Sequence, residues 1–118
     1  MHFVLFDEIL EQHTVRSLER ALVARGHKVT ATGPVWRSHF LPKTDAEVAP
    51  IRERVREVCQ AAPDVLFNFR PSSLLPEMVS ELKKVGIHTV AWLADDPVLY
   101  HVCYRHVVEA YDLSLIHI

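Results

Sequence analysis

At 118 residues, 49% hydrophobic and 24% charged, the chain is long enough to bury a core and is globular in composition rather than disordered, but it is short for a complete two-domain enzyme. Its 13 basic and 15 acidic residues leave a formal net charge of -2, which excludes a nonspecific grip on nucleic acid or an anionic membrane. No apolar run reaches bilayer length and MHFVLFDEIL meets Asp7 before a signal-peptide apolar region can form, so a cytoplasmic protein without a membrane span is expected.

His2 to Phe6 reads as a strand that stops at two acids, Asp7 and Glu8. From Thr14 to Arg25 the positions Val15, Leu18, Leu22 and Val23 recur with helical spacing, and Gly26 follows where a left-handed cap is wanted. Lys28 to Thr32 reads as a second strand. A polar, proline-marked loop from Gly33 to Asp45 is long for a simple connection, and is either a functional loop over one end of the sheet or an insertion without a role. The next helix spans Ala46 to Ala61, with Val48, Ile51, Val55, Val58 and Ala62 on one face and the RERVRE charges solvated on the other; Pro63 and Asp64 end it.

Val65 to Phe69, apolar apart from Asn68, reads as a strand buried on both faces of a parallel sheet. After RPSS, a helix over Leu75 to Val85 turns Leu75, Met78, Val79, Leu82 and Val85 inward, which makes Met78 a core residue rather than a metal ligand, and Gly86 stops it. His88 to Leu93 reads as a fourth strand, Val98 to Ala110 as a fourth helix and Leu113 to Ile118 as a fifth strand. Cys59 and Cys103 show no CxxC spacing and fall on apolar helix faces, which suits core thiols in a reducing compartment.

This alternation implies right-handed crossovers and a single α/β domain over residues 1–118, a doubly wound, Rossmann-like parallel sheet of about five strands with helices on both faces. Ligands of such sheets sit beyond the carboxyl ends of the strands, where the order reverses. The favoured order, 3-2-1-4-5, sets Asp7 and Glu8 across from Asp95 and Asp96. In the alternative, 2-1-3-4-5, Asn68, Arg70 and Ser72 replace the fourth-strand pair.

Several chemistries lack their residues. FDEILEQ stands where a dinucleotide fingerprint needs GxGxxG, and a chain with three glycines has no Walker loop. Ser72 and Ser73 lack the GxSxG elbow of a nucleophile, and Ser73 reads as a helix cap. Eight histidines invite a metal reading, but none form an i, i+4 pair and His101 and His106 fall on different helix faces, so no metal site is expected. In ADDP, Pro97 fits the first helical turn and Asp96 the cap position before it. Asp95 has no such structural task, which leaves it as the candidate catalytic carboxylate; Asp7, Glu8, Asn68, Arg70, Ser72 and Asp95 are the candidate substrate-binding residues.

The phrase RGHKVTATG, and more specifically the ordered series PDVLFNFRP, GIHTVAWLADDP and YDLSL, resembles the amino-terminal half of the CgeB-type glycosyltransferases, a GT-B family named after a spore maturation protein. The match covers Pro63 to Leu115. The resemblance implies an acceptor-side domain whose partner is a second Rossmann-like domain of the same chain, carboxyl-terminal to it, that holds a nucleotide-sugar donor. It implies no cofactor bound by this domain, no required metal, and no transfer by these residues alone. SLIHI also resembles a peptide translated from sequencing-adaptor bases, on which reading residues 114–118 are not native. The competing expectation is a noncatalytic flavodoxin-like binding or receiver-like signalling module, for which Asp7 and Glu8 are suited but which lacks an aspartate after the third strand.

Overall fold

The computed structural model describes residues 1–7, 13–32, 41–93, 105 and 107–116. Its elements alternate along the chain: β1 (His2–Phe6), α1 (His13–Ala24), β2 (Lys28–Thr32), α2 (Asp45–Ala61), β3 (Val65–Asn68), a 3-10 turn (Pro71–Ser73), α3 (Pro76–Lys84), β4 (His88–Leu93), a second 3-10 turn (Val108–Ala110) and β5 (Leu113–Ile116). All five strands are parallel, in the order β2-β1-β3-β4-β5. Helices cover both faces, giving a Rossmann-like architecture. Among the described residues no helix is long and apolar enough to cross a membrane.

The favoured order 3-2-1-4-5 is therefore corrected: β3 lies beside β1, not beyond β2. The reason is apolarity. Val65 and Leu66 of β3 are buried and Phe67 is half-buried, so the strand needs neighbours on both sides, whereas KVTAT exposes Lys28 and Thr30 and fits an edge.

Side-chain alternation along the strands divides the core in two. Val4, Phe6, Leu66, Ala91 and Leu93 point to one face, where they join Ile51, Val55 and Val58 of α2 and Met78, Val79 and Leu82 of α3 in one cluster. Leu5 and Val15 are equally buried but stand outside it, on the face that α1 covers. Val23 and Val85, expected to face inward, are 56% and 51% exposed; Val23 lies in the last turn of α1 and Val85 just past the end of α3. Cys59 is half-buried against the cluster and free of any disulfide; Cys103 lies outside the described residues.

Helix ends follow local chemistry. Thr44 caps α2 reciprocally: its hydroxyl accepts from Glu47 N at 3.2 Å, and its own N–H donates to Glu47 Oε1 at 2.9 Å. The helix thus starts at Asp45, one residue before the expected Ala46. Ser73 is not a helix cap, which corrects its sequence reading: it closes the first 3-10 turn, and α3 begins three residues later at Pro76, which sets φ for the first turn, with Leu75 as the N-cap. Of the expected helix from Val98 to Ala110, the described part is turn and 3-10 geometry, not α-helix.

Gly26 and Gly86 take φ of 86° and 88°, as stop positions require. Ala62 ends α2 in the same left-handed region, at φ 46°, with its N–H donating to Val58 O and Cys59 O. A Cβ is strained there, so Ala62→Gly should stabilise the fold by about 1 kcal/mol. Chemical denaturation would check this; an unchanged or lowered midpoint contradicts it.

Candidate functional site

In the observed order, the chain leaves β1 for β2 on one side, while β3, β4 and β5 extend on the other. The reversal lies between β1 and β3, and their carboxyl ends border the crevice. Phe69 N donates to Phe6 O at 3.0 Å, extending the ladder past β3 and setting Asp7 beside the segment Asn68 to Ser72. The backbone of Asp7 thus lies beside that of Asn68 to Ser72, while the Asn68 side chain, paired with Phe6, is on the face away from that of Asp7. Glu8, Asp95, Asp96 and Pro97 lie outside the described residues.

Asp7 directly follows β1. Its N–H donates to Thr32 O at 3.1 Å and the residue is only 4% exposed, so its carboxylate is largely withdrawn from water. Arg70 is half-buried. Ser72 is fully buried, with a hydroxyl that makes no hydrogen bond.

Asn68 has internal work. Its Nδ2 donates to Tyr111 Oη at 2.8 Å and to Ser73 Oγ at 3.3 Å, while its Oδ1 accepts from Arg70 N at 2.9 Å. Tyr111 donates in turn to Pro71 O at 3.3 Å. The side chain thereby shapes the Arg70–Ser73 turn and ties it to the approach to β5. Tyr111 is buried, which pushes its phenol above the ordinary range despite the Asn68 hydrogen bond, so it stays protonated as a donor.

The other polar residues of the PD and YD phrases act the same way. Asp64 Oδ2 accepts from His2 N at 2.7 Å, joining the start of β3 to β1. Asp112 Oδ2 accepts from Thr89 N at 2.8 Å and Thr89 Oγ1 at 3.1 Å, with Lys83 Nζ and His88 Nδ1 each 3.6 Å from its carboxylate. Burial alone would raise the Asp112 carboxyl, but the Thr89 hydrogen bonds and the Lys83 and His88 charges outweigh it and hold it below the ordinary carboxylate value. A carboxyl more acidic in the folded state adds stability above its unfolded pKa and loses it as pH falls through the folded value. Asp112→Asn should therefore lower stability at neutral pH and flatten the decline below about pH 4. Thermal melts across that range test it, and parallel acid limbs for parent and variant would contradict it.

Two features lie beyond what sequence reasoning reaches. Tyr111 is not recognisable as a partner of Asn68, 43 positions away, until β5 is placed. Phe69 and Trp92, which no motif marks as site residues, stand with ring centroids 5.8 Å apart at the carboxyl edge. Alternation in VLFNFR marks Phe67 and Phe69 as sharing a face, but only strand register brings Trp92 to them.

A separate shallow groove of about 110 Å³, lined by His2, Val4, Thr30, Thr32, Glu57, Val58 and Ala61, opens between β1, β2 and α2, away from the switch point. His2 Nε2 and Thr30 Oγ1 lie 2.9 Å apart on its wall. Among the described residues, no group of three or more His, Cys, Asp or Glu side chains is placed to hold a metal ion. No family model, curated protein or solved structure matches the chain.

Proposed function

We propose that the chain is the acceptor-side, amino-terminal domain of a nucleotide-sugar-dependent glycosyltransferase of the GT-B type, resembling the CgeB family and acting with a second Rossmann-like domain that holds the donor. The observation that carries this reading is the ordered motif series itself: PDVLFNFRP, GIHTVAWLADDP and YDLSL begin or contain three successive neighbouring strands, β3, β4 and β5. Their Asp64, Asn68, Tyr111 and Asp112 serve as latches between strands, which gives these positions of the phrases a physical role. The absence of any glycine-rich phosphate loop suits a domain that receives an acceptor rather than a nucleotide. Asp7, Arg70 and Asp95 are its substrate-facing candidates, with Asp95 the proposed catalytic one.

The coding sequence downstream is the first test. It should encode a second Rossmann-like half, and the two-domain protein should consume a nucleotide sugar, with Asp95→Asn reducing turnover while leaving the melting temperature unchanged. A native stop codon directly after Ile118, or no donor consumption by the two-domain protein, would sink the reading.

One observation favours a second reading. The order 2-1-3-4-5 is that of flavodoxin-like domains and receivers. A receiver places a phosphate-accepting aspartate after the third strand, whereas here Asn68 ends β3 with its amide engaged by Tyr111 and Ser73. Magnesium-dependent formation of an acyl phosphate from a small phosphodonor would establish this alternative, and its failure would remove the signalling form of it.

A further inference from the structure

β2 is an outer strand, paired with β1 on one side and, among the described residues, with no strand on the other. Lys28 N donates to Met1 O at 3.0 Å and Thr32 O accepts from Asp7 N at 3.1 Å, so the even-numbered residues of β2 turn their backbone groups toward β1. Backbone direction alternates along a strand, and Val29 and Ala31 therefore aim their N–H and C=O groups outward. Such a row of donors and acceptors matches another extended backbone.

Side chains beside this edge are selective. His2 pairs with Lys28 and Val4 with Thr30, so all four share the face on which Val4 packs with α2. Between α2 and β2 lies the groove of about 110 Å³, with Val4, Val58 and Ala61 as its apolar wall and Thr30 and Thr32 on the side of the edge. It is smaller than the roughly 150 Å³ that admits a benzene ring, and suits a branched aliphatic side chain. Lys28 is exposed and makes no ion pair among the described residues, whereas Glu57 beside the groove is paired with Arg54 at 3.1 Å. Burial and the Lys28 charge hold the His2 imidazole below its ordinary value, with Asp64 acting the other way, so Lys28 and not His2 brings positive charge to this edge at neutral pH.

In an added strand, residues two apart share a face. We propose that β2 is a peptide-docking edge, on which an extended segment of a partner protein adds a sixth strand to the five present, setting an aliphatic side chain into the Val4–Val58–Ala61 groove and, two residues from it, a carboxylate against Lys28. Backbone bonds to Val29 and Ala31 supply affinity; the groove and Lys28 supply selectivity. The proposal concerns this edge alone and does not depend on the transfer reading.

The test selects peptides from a random displayed octapeptide library on the immobilised 118-residue chain, then titrates the most enriched one into isotope-labelled chain. Enriched sequences should share an acidic and an aliphatic residue at i and i+2, in either order, and the amides of Val29 and Ala31 should shift saturably and gain protection from exchange. Lys28→Glu should weaken binding roughly tenfold, with a lysine in place of the peptide's acid restoring it. Ala61→Phe, which fills the groove, should weaken it to a similar degree, and methylating the peptide nitrogens that face β2 should abolish it. Lys84→Glu, at the end of α3 on the other side of α2, should change nothing. No enriched sequence, a consensus without the acidic and aliphatic pair, shifts confined to residues away from β2, or equal losses from Lys28→Glu and Lys84→Glu would overturn the docking edge. Self-association that protects the same two amides without peptide would overturn it too, by giving the edge to a second copy of the chain.

Discussion

Replacing Asn68 with alanine should cost about 3 kcal/mol of folding stability, read as a drop in the urea midpoint at neutral pH. The side chain is fully buried and three hydrogen bonds converge on it, from or to Tyr111, Ser73 and the Arg70 backbone. Truncation removes those bonds and also strands their partners, and an orphaned buried polar group is more expensive than a lost hydrogen bond between solvated groups. Tyr111→Phe takes away one hydroxyl from the same network and should cost about 1 kcal/mol. Because both residues are members of one network, the double variant should lose less than the sum of the two. An Asn68→Ala protein within about 1 kcal/mol of the parent would show that the turn after β3 does not depend on this latch.

Met78→Ala should destabilise by about 3 kcal/mol, while Met78→Leu should cost less than about 1.5 kcal/mol. Met78 is wholly buried in the cluster that α2, α3 and the sheet share. Alanine leaves a cavity that helices anchored on neighbouring strands close only in part; leucine nearly conserves the volume. Equal losses for the two variants would mean that the sulfur, and not the volume, matters at this position.

Met78 also illustrates how far a local pattern reaches. Its place in the series Met78, Val79, Leu82 follows from a period near 3.6 residues, and the three are buried together. The glycine stops at Gly26 and Gly86 are equally visible in the sequence, because a left-handed backbone position selects for residue type locally. Ser73 misleads for a related reason. A serine before a helical pattern normally reads as a cap, but the chain inserts a 3-10 turn here, held by a side chain from β3 that is five residues earlier.

The crevice is legible in the sequence only as two alternatives. Asp7 belongs to both orders, since it follows the first strand in either. Whether it faces the fourth-strand acids or the Asn68–Ser72 segment depends on which strand lies beside β1, and the structure puts β3 there. The exposed, threonine-rich KVTAT carries a clue to its edge position, but an indecisive one, since polar alternation also suits an interior strand with one solvated face.

The sequence by itself determined the kind of each strand, the faces of α2 and α3, and most element boundaries, because periodicity and caps are properties of neighbours along the chain. Strand order, the union of Asn68 with Tyr111, and the approach of Trp92 to Phe69 were decided by tertiary structure alone. Each of those depends on pairing between segments tens of residues apart, where what selects the outcome is the burial of the most apolar strands at the centre of the sheet, summed over the whole chain.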